Sequence, residues 1–93
     1  MDVRLDGKVA LITGSSLGLG KAMALRFAES GASVALTARG TEALEVARQE
    51  VQAAGGGNKV VAHACDVSKA DQCEALHTTV TEQLGPIDIL INN

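Results

Sequence analysis

From Thr13 to Gly20 the chain reads Thr-Gly-Ser-Ser-Leu-Gly-Leu-Gly, with its glycines spaced Gly-x-x-x-Gly-x-Gly. Glycine tolerates a sharp turn and close approach of the backbone to a ligand. Where such a turn opens a helix, the free N–H groups and the positive end of the helix dipole face outward, suited to a pyrophosphate. The spacing is neither Gly-x-Gly-x-x-Gly nor a Walker loop, and a tight turn with no ligand would also need glycine. Downstream, Thr37-Ala38-Arg39-Gly40 carries a guanidinium and no acid. At the tip of a dinucleotide fold's second strand, a carboxylate would accept from ribose hydroxyls and repel a 2′-phosphate; a guanidinium would bind that phosphate. Arg39 thus points to NADP, with NAD the lesser alternative, unless it is simply a solvated surface arginine.

Two further groups fall at strand ends. Asp66, before Val67, could accept from an adenine amine or could start a helix with Ser68, and spacing alone leaves both open. Asn92 and Asn93 can donate and accept, so they could tie a strand to a neighbouring loop or serve as turn residues. His63, Cys65, Cys73 and His77 form His-x-Cys and Cys-x-x-x-His pairs, spacings unlike structural zinc sites, so we expect no metal. Both cysteines read as small hydrophobes, Cys65 in a strand and Cys73 on a helix face.

These groups need elements to hold them. Short apolar runs at Lys8–Thr13, Ser33–Thr37, Val60–Cys65 and Ile87–Ile91 read as strands. Between them, Gly18–Ser30 reads as a helix stopped by Gly31. Thr41–Ala54 is helical with Leu44, Ala47, Val51 and Ala54 on one face, and a third helix runs to Leu84 with Cys73, Leu76, Val80 and Leu84 on its stripe. Ser68-x-x-Asp71 reads as its start signal, a variant of the capping box. The order βαβαβαβ predicts an α/β fold: a doubly wound, Rossmann-type parallel sheet in strand order 3-2-1-4, two helices on one face and the third on the other. The crevice then opens beyond the first and fourth strands, at Gly14 and Asn92-Asn93.

The glycine turn, Ala38-Arg39, Asp66-Val67 and Ile91-Asn92-Asn93 together resemble the short-chain dehydrogenase/reductase family, over essentially the entire chain. The resemblance implies that Gly14, Ser15, Ser16, Leu17, Gly18 and Leu19 line the NADP diphosphate and ribose, that Arg39 meets the 2′-phosphate, Asp66 and Val67 the adenine, and Asn93 the adenosine ribose. It further implies that Thr13 and Asn92 brace the fourth strand to the glycine turn. Members of the family transfer a hydride between NAD(P) and an alcohol or carbonyl, using a Tyr-x-x-x-Lys pair, a serine and a further asparagine. The 93 residues contain no tyrosine. We therefore expect residues 1–93 to be the N-terminal, cofactor-binding part of a single Rossmann domain, with no catalytic residue of its own. The partners expected are a C-terminal half of the same protein and a small carbonyl or alcohol substrate, 3-oxoacyl-carrier-protein being one option. The family also implies a homo-oligomer, often a tetramer. An inert NADP-binding fragment and an interaction module are the alternatives.

Composition narrows the remaining classes. Eight Lys and Arg against eleven Asp and Glu give a net charge of −3, which offers no basic face to nucleic acid. No apolar stretch reaches membrane-spanning length, and Met1-Asp2-Val3-Arg4 has no signal-peptide core, so we expect no membrane partner and a cytoplasmic location. With Ile87–Ile91 at the sheet edge, an exposed apolar strand is also expected.

Overall fold

The computed structural model describes residues 4–93, so the leader reading at Met1–Val3 lies outside the described residues. Its elements are β1 (Val9–Thr13), α1 (Gly18–Glu29), β2 (Ser33–Thr37), α2 (Thr41–Ala54), β3 (Val60–Ala62), α3 (Ala70–Leu84) and β4 (Ile89–Ile91). The strands form one parallel sheet in the order β3-β2-β1-β4, as the sequence predicts.

β1 and β2 are the inner strands, and their Val, Ala, Leu and Ile side chains are buried on both faces. Alternation sorts them. Ile12, Val34 and Leu36 pack with Ala24 and Ala28 of α1 and Leu44, Ala47 and Val51 of α2. Val9, Leu11 and Ala35 face the other way, onto Cys65 and onto Leu76 and Val80 of α3. Two helices therefore cover one face and one covers the other. The small residues Gly20, Ala24 and Ala28 recur every four positions along α1 and are buried, which lets this helix lie close to the strands.

α1 ends as predicted at Gly31, whose φ of +98° is left-handed. The Gly31 N–H donates to the Ala28 carbonyl (3.0 Å) and the Ala32 N–H to the Phe27 carbonyl (3.1 Å), the paired bonds of a Schellman stop.

β1 begins and α1 ends one residue inside the expected bounds, and three further boundaries differ from the sequence expectation. β3 ends at Ala62 rather than Cys65, although the His63 and Cys65 N–H groups still donate to Leu36 and Ala38 carbonyls at 3.0 and 2.9 Å. The chain keeps to the side of β2 while the regular ladder stops. β4 begins at Ile89 rather than Ile87, because the Asp88 carboxylate accepts from the Val9 N–H (2.9 Å) where a strand carbonyl would. The expected Ser68-x-x-Asp71 start of α3 does not form. Lys69 is the N-cap residue and no side chain caps it, because the N–H and hydroxyl of Ser68 both donate to Asp66 (3.0 and 2.7 Å).

At the edge, Leu90 pairs in register with Leu11 on the α3 face yet is 56% exposed. Ile89 and Ile91 are half-buried. The expected apolar edge is present.

Candidate nucleotide-binding site

The carboxyl ends of the strands meet along one rim, where a cleft of about 370 Å³ opens. Gly14, Ser16, Arg39, Val67 and Asn93 line it. A second cleft of about 360 Å³ lies beside it and contains Asp66; Arg39 and Cys65 border both. The sequence therefore assembles at one place residues drawn from four separate strand ends. Of the remaining predicted residues, Leu17 and Leu19 are each 68% exposed at the start of α1. Gly18 has φ +60°, and the space a Cβ would take there is open.

The glycine turn is tightly built. Gly14 also has φ +60°. Gly20 has an ordinary helical role in the backbone, but a Cβ there would overlap the Gly14 carbonyl oxygen and crowd Asn93 Nδ2. Its smallness lets α1 begin directly behind the end of β1. Ser15 is fully buried. Its hydroxyl donates to the Ile12 carbonyl (2.9 Å) and accepts from the Thr37 N–H (3.0 Å), while its own N–H donates to the Thr37 carbonyl (3.1 Å). The Ser15 side chain thus ties the turn to the end of β2 and faces inward, not into the cleft.

The brace from β4 uses Asn93, where the resemblance implied Asn92. The Asn93 N–H donates to Thr13 Oγ1 (3.0 Å) and its side-chain amide to the Gly14 carbonyl (3.2 Å), while the Thr13 hydroxyl donates to the Ile91 carbonyl (3.3 Å). Register accounts for the difference: Ile12 pairs with Ile91, so Asn93 is the residue that comes opposite Gly14.

The N-terminus of α1 is left available to an anion. No side chain caps it and its first turn carries no acid, whereas α2 and α3 carry Glu42 and Asp71 there. No carboxylate within that turn neutralises its N–H groups or the dipole.

At the far side of the cleft stand Arg39 and Asp66. Arg39 Nη2 lies 3.5 Å from Asp66 Oδ1, with the arginine side chain 78% exposed. The Ser68 hydroxyl, then the Ser68 N–H, and finally Arg39 hold the Asp66 carboxyl below the usual carboxylate range. Asp66 is therefore both the first residue of the turn into α3 and a charged group on the rim. Sequence reasoning missed Gln72, whose Oε1 accepts from the Asp66 N–H (2.8 Å), and Thr37, a lining residue whose side chain is buried. The position of Thr37 at the tip of β2 was the available signal; Gln72 had none.

Cys65 is buried beneath both clefts, and burial pushes its thiol up, with Cys73 beside it adding to the effect. It stays a neutral hydrophobe and not a nucleophile. Among the described residues no group of three or more His, Cys, Asp and Glu could hold a metal, and no helix is long and apolar enough to cross a membrane.

A family model for short chain dehydrogenases matches residues 8–93. The chain belongs to the short-chain dehydrogenase family. It is 47% identical over 87 residues to the glycine betaine reductase of Emericella nidulans, covering 94% of this chain and 7% of that protein. It is 39% identical over 92 residues to the 7α-hydroxysteroid dehydrogenase of Escherichia coli, covering 99% of this chain and 35% of the relative. Among solved structures, the L-sorbose reductase of Gluconobacter frateurii complexed with NADPH and L-sorbose superposes with a TM-score of 0.93 at 40% identity, over 100% of this chain and 35% of that one. This short-chain dehydrogenase sequence thus spans about a third or less of the relatives it matches here.

Proposed function

We propose that this chain forms the NADP-holding part of an oxidoreductase that moves a hydride between the nicotinamide and a carbonyl or alcohol substrate. The observation that carries the reading is Arg39, an exposed guanidinium at the tip of β2 that borders both clefts, with Ala38 rather than an acid beside it. The residues fit the cofactor in two further respects: the glycine turn leaves open space at Gly18, and the first turn of α1 carries no acid. NADP, when bound, supplies or accepts the hydride.

This chain's residues bind and orient. The Gly14–Leu19 segment would hold the diphosphate and ribose, mostly through backbone N–H groups, because the Ser15 side chain faces inward. Arg39 would take the 2′-phosphate, a pairing that guanidinium geometry favours. Asp66 and Val67 would meet the adenine and Asn93 the adenosine ribose, with Asn93 also keeping β4 against the turn. With no tyrosine in the chain, the family's proton donor would come from residues beyond this sequence. Residues 1–93 are then the first part of a single Rossmann domain, and a C-terminal half would cover the β4 edge, where Leu90 is exposed. In that form the protein would be a cytoplasmic homo-oligomer, with 3-oxoacyl-carrier-protein one substrate option.

The absence of tyrosine also favours a second reading, in which these residues bind NADP without turnover. Titration with NADPH and NADH, followed by an assay of carbonyl reduction, tests both. Binding with a preference for NADPH supports the cofactor assignment. Turnover by residues 1–93 alone would overturn the assignment of the proton donor.

A further inference from the structure

The Arg39–Asp66 pair links the two clefts, and its members are not equally free. Asp66 Oδ1 is fixed by the Ser68 N–H and hydroxyl, and the Asp66 N–H is fixed by Gln72. Arg39 is long, 78% exposed, and reaches Asp66 at 3.5 Å, the far limit of a hydrogen bond. The carboxylate stays in place while the guanidinium can exchange partners. Resting on the reading of Arg39 as the 2′-phosphate contact, we infer that Asp66 sets cofactor specificity by competing with the 2′-phosphate for the Arg39 guanidinium.

Arg39 faces Asp66 at this distance, so a 2′-phosphate that takes the guanidinium must displace that carboxylate. The apparent affinity for NADP falls by the fraction of molecules in which Arg39 is already held. A cofactor without the 2′-phosphate does not need the guanidinium and escapes this cost. Asp66 therefore narrows the NADP preference that Arg39 creates. For an exposed pair the narrowing is about two- to fivefold. The effect belongs to one side chain that also starts α3, so its charge and its structural role must be separated.

Asp66→Asn separates them, because the amide oxygen still accepts from the Ser68 N–H and from an adenine amine but carries no charge. Dissociation constants for NADPH and NADH are measured on the complete protein by nucleotide fluorescence, for the unmodified form, Asp66→Asn, Arg39→Ala and the double variant. The expected result is a two- to fivefold rise in the NADH/NADPH ratio of dissociation constants for Asp66→Asn. The same substitution in the Arg39→Ala background should leave the ratio unmoved. Asp66→Ser, which keeps a short acceptor in the turn but cannot reach Arg39, should change the ratio in the same direction. A ratio that is unchanged or lower in Asp66→Asn overturns the inference, because a purely structural role would weaken both nucleotides together. If Arg39→Ala itself leaves the ratio at its original value, the cofactor assignment falls, and this inference with it.

Discussion

The two sides of the cleft are built in opposite ways. On the glycine-turn side, Ser15 is fully buried, its hydroxyl bonds to both β1 and β2, and Gly20 touches the end of β1 with no room for a methyl group. On the Arg39–Asp66 side, an ion pair at 3.5 Å joins a guanidinium standing largely in solvent to a half-buried carboxylate. Buried hydrogen bonds and close packing fix geometry, because leaving them costs full desolvation or overlap. An exposed pair contributes little to stability and exchanges partners freely. The first side thus suits a constant feature of the ligand, the diphosphate, and the second suits the feature that distinguishes one nucleotide from another.

Substitutions can break this contrast. Gly20→Ala should have the largest effect, lowering unfolding free energy by about 3 kcal/mol in denaturant titration, because the new methyl must push α1 away from the Gly14 carbonyl. Ser15→Ala should follow at about 2 kcal/mol, as the Thr37 N–H loses its acceptor within the fold. Gly18→Ala should cost less, about 1 kcal/mol, since φ of +60° is strained for alanine but nothing lies where the Cβ would go. A loss for Gly18→Ala as large as that for Gly20→Ala would dissolve the distinction between a packing glycine and a conformational one.

Acid provides a smaller test on the exposed side. The Asp66 carboxyl titrates lower in the folded protein than its ordinary value, so its bonds support the fold above the unfolded pKa, about 4, and are lost as pH falls through the lowered value. The unmodified protein should therefore lose more stability on acidification below about pH 4 than Asp66→Asn does. Identical acid profiles would mean that the Ser68 and Arg39 bonds to Asp66 contribute nothing in solution. Smallest of all should be Arg48→Ala, which breaks an exposed pair with Glu45 on α2 and should leave the denaturant midpoint nearly unmoved.

Much of this architecture was legible in the sequence. Continuous apolar strands separated by helical stripes gave βαβαβαβ, and the helix-covered faces followed from right-handed crossovers. The α1 stop was equally plain, since Gly31 alone supplies the left-handed residue a Schellman motif needs. What escaped was decided by partners far away or by competition nearby. Asp66, two residues upstream, takes the N–H that a Ser68 cap would have left to the helix. Asp88 substitutes its side chain for a strand acceptor opposite Val9, a partnership across most of the chain. Whether Asn92 or Asn93 meets the glycine turn depends on the β1–β4 register, which apolar patterning leaves open by one residue. At the site, Arg39 and Asp66 were recognisable by type and position, but their direct pairing was not. The inward turn of Ser15 was hidden for the same reason, because it depends on how close β2 lies.

The central claim is that the rim selects a 2′-phosphorylated nucleotide through Arg39. Dissociation constants for NADPH and NADH on the complete protein, unmodified and carrying Ala38→Asp, test it most directly. NADPH should bind about ten- to a hundredfold tighter than NADH, the range expected for charge-assisted bonds, and Ala38→Asp should remove or reverse that preference. Equal affinities in the unmodified protein, or a preference untouched by Ala38→Asp, would contradict it.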